Sequence, residues 1–293
     1  MDAQLEIKAE SLAGKKQKSL LWYKIKKNPM TILGFSLIFI LAALALFAPW
    51  ITSYDPIKIN MAERFQPPSA SHWFGTDEVG RDIFTRVIYG ARLSLGASIT
   101  IVVVAGLIGS VIGAIAGYFG NWVDQIIMRI MDMLLAFPTL VLAMVLAATL
   151  GPNLINAMLA ISIVKIPVYV RLARGEALSI KKKLYVVAAK TFRVNDFYII
   201  IRHIIPNTIT PVIIQITLDL GDTILLVATL GFLGLGARPP APEWGTMIST
   251  GFKHMLEQWW YATFPGLAVF IASSGFNLIG DGLRDILDPK SAR

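Results

Sequence analysis

The sequence predicts an all-α integral membrane protein with six transmembrane helices. Three observations carry that expectation. Only 16% of the 293 residues are charged, against about a quarter in soluble domains, so lipid is the expected solvent. Six apolar runs reach the roughly 20 residues that a helix needs to cross about 30 Å of hydrocarbon. Lysine and arginine gather in two stretches between those runs, as expected of segments held on one side of a membrane.

Residues 1–30 read as a basic cytoplasmic tail, with Lys8, Lys15, Lys16, Lys18, Lys24, Lys26 and Lys27. The first span, Thr31 to Ile51, carries no charge. It is too long for the apolar core of a signal peptide, about 7–15 residues, and further spans follow it. Residues 52–92 form a long loop in which Lys58, Arg64, Arg81, Arg86 and Arg92 are balanced by Asp55, Glu63, Asp77, Glu78 and Asp82, so it belongs outside. The remaining spans are expected near 93–118, 131–150, 154–170, 209–230 and 260–279. Gly151-Pro152-Asn153 separates the third from the fourth. A count of five, with that pair merged or one member demoted, stays open. Residues 93–281 make up the membrane core, and 282–293 a second cytoplasmic tail. Both termini then lie inside, with Trp22, Tyr23, Trp50, Tyr54, Trp122, Trp259, Trp260 and Tyr261 at headgroup level.

Several chemistries have no visible machinery. Cysteine is absent, which excludes disulfides, thiolate metal sites and cysteine nucleophiles. His72, His203 and His254 have no second ligand at helical or turn spacing, so they read as ordinary loop or interface histidines. Gly14-Lys15 is followed by Lys16 rather than a hydroxyl residue, so no phosphate-cradling loop is present. No Gly-x-Ser-x-Gly elbow or His-Glu-x-x-His helix occurs. The chain is expected to be no enzyme and to hold no metal or cofactor. The net charge of +8 is a topology signal, because its basic residues do not interleave with aromatics as in nucleic-acid binders.

Two constellations remain inside the spans. Ala105, Gly109, Gly113 and Gly117 recur every four residues, a seam where another backbone can approach closely. Lys165 lies in the fourth span, and Gln215, Asp219 and Asp222 line one face of the fifth at helical spacing. Intramembrane charges cost roughly 2.5–3.5 kcal/mol each on insertion scales. Either Lys165 pairs with Asp219 or Asp222 to fix helix packing, or this face lines a translocation pathway.

The stretch from Arg171 to Asn207 is too long for a turn and too polar for a span. It is expected to fold as short helices at the membrane face, with Leu184 to Thr191 helical, Asn195-Asp196 a capped turn and Pro206 a stop or restart. By composition alone it could also lie on anionic lipid.

Tyr185-Val186-Val187-Ala188-Ala189-Lys190 through Arg202-His203-Ile204-Ile205-Pro206-Asn207 resembles the EAA loop of binding-protein-dependent ABC importer permeases. Phe74 to Asp82, Phe232 to Ala237 with Pro242 to Gly245, and Gly280 to Asp285 with Leu287-Asp288-Pro289 resemble its dipeptide, oligopeptide and nickel branch. Within that branch, Ala157 to Ile161, Tyr169 to Gly175 and Gln258 to Tyr261 are similar to permeases for D-alanyl-D-alanine-type dipeptides.

The resemblance implies a type I importer permease fold in the cytoplasmic (inner) membrane, with a coupling loop over 174–207. It implies Val187, Ala188, Ala189, Lys190, Arg193, Asn195, Asp196 and Pro206 as docking residues, and a homologous second permease. Two ATP-binding subunits carrying ATP and Mg, and an extracytoplasmic binding protein, complete the assembly. Its mechanism is alternating access. Two positions depart from the family pattern. Val187 stands where a glutamate is usual and Arg193 where a glycine is, so the turn is expected at Asn195-Asp196, since left-handed backbone is unfavourable for arginine. Nickel or a metal chelate is the alternative cargo, and an ion-coupled secondary transporter the rival mechanism.

Overall fold

The computed structural model describes residues 28–287. The lysine-rich tail, Trp22, Tyr23 and the last six residues lie outside them. The described residues are helical and contain no strand, only an isolated bridge between Thr76 and Asp82. Five helices are long and apolar enough to cross a membrane, and a bent pair supplies a sixth crossing if counted as one span.

α1 spans Pro29–Ile51 and starts where Asn28 Oδ1 accepts from the amides of Met30 and Thr31, an N-cap with proline in the first helical position. Pro49 has no N–H for the carbonyl of Ala45. Arg92 fills that gap from the neighbouring helix, donating from Nε to Ala45 O at 2.6 Å and from Nη2 to Leu46 O at 3.1 Å. α1 otherwise turns large apolar side chains such as Phe39 and Leu46 outward, as a lipid-facing span should.

α2 spans Ile83–Phe119 and begins ten residues earlier than expected from the sequence. Asp82 caps it by accepting from the Thr85 amide at 2.7 Å. Arg86 and Arg92 look like loop residues, yet Arg86 is buried, donating from Nη1 to Pro56 O and Pro240 O. The rest of the expected loop is a folded cap. Asp77 pairs with Arg81 at 2.6 Å, and buried His72 pairs through Nδ1 with Asp82 at 2.9 Å.

The expected third span, 131–150, is two helices. α3 spans Asn121–Leu135 and α4 spans Thr139–Leu150, bent by 91° about Ala136-Phe137-Pro138. Proline supplies no amide to the ladder and disfavours helical backbone at Phe137 before it. α5 spans Leu154–Ile180 rather than ending at Val170, with Asn153 as its cap. Its polar extension is held by α3, with Arg174 bidentate to Asp124 and Arg171 at 2.7 Å from Asp132. The stretch from Arg171 therefore begins as a continuous helix, not as short ones.

The glycine seam packs α2 on α5. A Cβ on Gly109 would lie 2.5 Å from Tyr169 Cβ, and one on Gly117 2.7 Å from Ala177 Cβ, so only glycine allows this approach. Ala105 is fully buried beside Tyr169 and Val212. α6 (Leu184–Thr191) and α7 (Asp196–Ile199) are followed by a π-helical turn over Ile200–Ile204 and by α8 (Ile205–Phe232). A short helix with no counterpart in the sequence reading, α9 (Trp244–Phe252), folds back before α10 (Trp259–Leu287). Glu243 caps α9 with both carboxylate oxygens, accepting from the amides of Gly245 and Thr246 at 2.8 Å each.

One core cluster joins α1, α2, α8, α9 and α10 around Trp244, Trp260 and Tyr261. A second lies among α2, α4, α5 and α8, and a third ties α6 and α7 to the ends of α2 and α5. The bundle thus has a loop end, carrying residues 52–82 and α9, and a basic end, carrying α6 and α7.

Candidate functional site

Two places answer to the residues singled out in the sequence, one half-way along the bundle and one at its basic end.

Lys165 is eleven residues into α5 and Asp222 ten residues before the end of α8. At 1.5 Å per residue both stand about 15–17 Å from the loop end, about half the thickness of the hydrocarbon layer. Lys165 Nζ lies 3.4 Å from Asp219 Oδ1, which also accepts from Gln215 Nε2 at 3.2 Å. Lys165 and Asp219 are buried. The expected pair is therefore present, and its acid is Asp219 rather than Asp222. Asp219 Oδ2 and the hydroxyl of Tyr169 are buried without a hydrogen-bond partner within the described residues.

Asp222 is exposed on the same helix. With Thr139 and Leu140 of α4, Lys165, Leu226 and Thr229, it lines an open cavity of about 340 Å³, within the size range of small-ligand sites. The α3–α4 break places the start of α4 here, with Thr139 and Leu140 in the lining, and no side chain caps that helix, so its first amides have no partner in the ladder. Lys165 is offset by Asp219, which leaves the Asp222 carboxylate as the uncompensated charge. Such a cavity attracts a cationic group, with amide dipoles close by for an anionic one. Among the described residues no group of three or more His, Asp or Glu is arranged to hold a metal ion.

At the basic end, Val186 is the buried anchor of α6, while Val187, Ala188 and Lys190 are exposed and Ala189 is half-buried. Leu184 and Phe192 project from the two ends of α6 at 87% and 82% exposure, with Tyr185, Val187, Phe197 and Tyr198 exposed beside them. Lys182, Lys183, Lys190, Arg193 and Arg202 are exposed in the same segment. Leu184, Phe192, Phe197 and Tyr198 were not singled out from sequence. The only signal for them was aromatic and leucine side chains in a stretch too polar to be a span. Exposed apolar side chains in a segment rich in cations suit a groove with acidic residues.

The turn after α6 overturns one expectation. Arg193 itself adopts left-handed backbone, with φ +54°. Its amide donates to Lys190 O at 2.9 Å, and the Val194 amide donates to Ala189 O at 3.0 Å. Those two bonds are a Schellman motif with arginine in the position that favours glycine, and Val194 and Ala189 supply its apolar contact. The satisfied orphan carbonyls and the half-buried Val194 outweigh the steric cost of arginine, about 1–2 kcal/mol. Asn195 is the cap of α7 as expected, accepting from the Phe197 amide at 2.8 Å, with Asp196 as the first helical residue. Pro206 stands in the first turn of α8, directly after the π-helical turn and within a run that is helical from Asp196 to Phe232, so the stop or restart expected there is absent. Arg193→Gly is accordingly expected to stabilise this segment by about 1 kcal/mol. Slower hydrogen exchange at the amides of 193 and 194 would register it, and faster exchange would show that arginine makes a contact worth more than its strain.

A family model described as binding-protein-dependent transport system inner membrane component matches residues 109–293, and one for the N-terminal TM domain of oligopeptide transport permease C matches residues 17–68. The chain is 51% identical over 272 residues to the probable D,D-dipeptide transport system permease protein DdpC of Escherichia coli (strain K12), covering 93% of this chain and 91% of that protein. It is 47% identical over 267 residues to the dipeptide transport system permease protein DppC of Alkalihalophilus pseudofirmus, covering 91% and 88%. Against the glutathione transport system permease protein GsiD of Pectobacterium atrosepticum the identity is 40% over 270 residues, covering 92% and 90%.

Proposed function

This chain belongs to the family of binding-protein-dependent transport system inner membrane components, and on that footing we propose that it carries di- or oligopeptides inward by ATP-driven alternating access, with D,D-dipeptides the favoured cargo. The observation that carries the coupling half of this reading is the exposure of Leu184 and Phe192 in a segment whose lysines and arginines are exposed with them. A groove on an ATP-binding subunit would seat it. The basic end then faces the cytoplasm together with both termini, consistent with the retention of Lys and Arg there. ATP and Mg belong to two such subunits, a homologous permease supplies the other half of the pathway, and an extracytoplasmic binding protein delivers the cargo to the loop end. No nucleic acid is a partner.

The cavity of Lys165 and Asp222 is the proposed stretch of pathway on this subunit. D,D-dipeptides are favoured because the relative with 51% identity carries that name. A zwitterionic peptide brings an ammonium group for Asp222 and a carboxylate for the amides at the start of α4. Binding there must stay weak, since a conducting site has to release what it takes up.

Asp222 makes no ion pair within the described residues, so replacing it should spare the fold. Asp222→Asn is expected to lower uptake of labelled D-alanyl-D-alanine about tenfold, the effect of losing one exposed charge-assisted contact, at an unchanged level of complex in the membrane. Unchanged uptake would remove Asp222 from the pathway. A parallel loss of the complex would make it a contact between subunits instead.

A further inference from the structure

Tyr118 is the penultimate residue of α2 and is 2% exposed. Its hydroxyl donates a hydrogen bond to Asp196 Oδ1, and Lys190 Nζ sits 4.3 Å from the centroid of its ring. Lys190 is in the last turn of α6 and Asp196 opens α7. One side chain therefore holds both limbs of the turn that contains left-handed Arg193, through a cation–π contact on one limb and a charge-assisted hydrogen bond on the other.

The far side of Tyr118 is equally fixed. α2 is locked to α5 along the glycine seam, Lys181 Nζ donates to Gly117 O at 2.9 Å, and Arg174 grips Asp124 on α3. Ala114 and Tyr118 of α2 and Ala177 and Ile180 of α5 share one core with Val186, Ile199 and Ile200. A displacement of α6 and α7 as a body thus reaches α2 and α5 at this tyrosine, and α2 runs from there to the loop end.

We propose that Tyr118 is the positioning residue that transmits movement of the α6–α7 segment to the α2–α5 pair, so that ATP hydrolysis and transport stay coupled. The proposal rests on the reading that this segment seats the ATP-binding subunit. It assigns the ring and the hydroxyl separate tasks: the ring with Lys190 keeps the segment folded, and the hydroxyl with Asp196 makes the link stiff. Coupling travels through elements with two discrete arrangements, and a link that yields dissipates the stroke.

The test uses the full complex in proteoliposomes with its binding protein, and labelled D-alanyl-D-alanine and L-alanyl-L-alanine as probes. Three quantities are read: ATP-binding subunit retained per permease, rate of ATP hydrolysis, and peptide accumulated per ATP hydrolysed. Tyr118→Phe keeps the ring and is expected to retain the ATP-binding subunit fully while peptide per ATP falls about three- to tenfold. Asp196→Ala is expected to match Tyr118→Phe, and the double variant to be no worse than either alone.

Peptide per ATP unchanged in Tyr118→Phe would overturn the proposal. So would a loss of uptake that tracks a loss of bound ATP-binding subunit, because the tyrosine would then only keep the segment folded. Failure of the parent chain itself to retain an ATP-binding subunit would overturn the docking reading, and it is recognised before any substitution is made.

Discussion

Lys165→Met is expected to lower the amount of folded permease in the membrane at least tenfold. The substitution leaves Asp219 buried with Gln215 Nε2 as the remaining donor to its Oδ1. Breaking a buried ion pair from one side costs about 3–5 kcal/mol, a large share of the roughly 5–15 kcal/mol that holds a typical domain folded. Replacing both partners by apolar residues of similar shape removes the stranded charge, and such replacements are often neutral. Lys165→Met combined with Asp219→Leu should therefore restore the folded level, read by fluorescence-detected gel filtration of solubilised membranes. A normal level for Lys165→Met alone would mean that Asp219 is already reached by water, and that the pair belongs to the pathway rather than to the packing. The geometry favours packing for Lys165 with Asp219, and Asp222 is the residue proposed for the pathway.

The second large effect is expected at the basic end. Phe192→Ala should weaken association with the ATP-binding subunit about 30-fold while leaving the level of the permease unchanged. The side chain is 82% exposed, so its removal costs the fold little, within about 0.5 kcal/mol. Aromatic anchors at the centre of an interface typically cost about 2 kcal/mol or more when truncated, and 1.4 kcal/mol is a factor of ten in affinity. Titrating purified ATP-binding subunit onto immobilised permease measures this directly. Unchanged affinity would place the contact elsewhere on the chain.

Much of this architecture was legible in the sequence, because lipid demands long apolar runs and because lysine and arginine mark one side. What escaped it depended on partners far along the chain. Arg86 and Arg92 read as loop residues, and only the carbonyls of Pro56, Pro240, Ala45 and Leu46 reveal them as helical. Arg171 and Arg174 likewise read as the end of a span. Asp132 and Asp124, 39 and 50 residues away, let the helix continue.

Pro138 was not singled out within its apolar run, because apolarity alone cannot distinguish one crossing from two half-helices. Arg193 shows a local rule overruled by its surroundings: the preference of arginine against left-handed backbone is real, and two terminal hydrogen bonds with the packing of half-buried Val194 outweigh it. Phe192 was missed because an aromatic residue in so short a helix gives no periodicity from which to tell outward from inward. Gln215, Asp219 and Asp222 were placed on one face from spacing alone, since helical geometry is enough for that, and Lys165 stood out as a charge inside another span.

ATP dependence of uptake by the purified complex tests most directly whether this chain is the membrane half of an ATP-driven peptide importer. Proteoliposomes holding this permease, its homologous partner and the ATP-binding subunits are supplied with binding protein and labelled dipeptide. Accumulation should require ATP and Mg on the side of the α6–α7 segment, and should stop when the ATP-binding subunits are stripped away. Accumulation that persists without them, driven by a proton or sodium gradient, would instead make Lys165, Asp219 and Asp222 an ion-coupling site of a self-sufficient transporter.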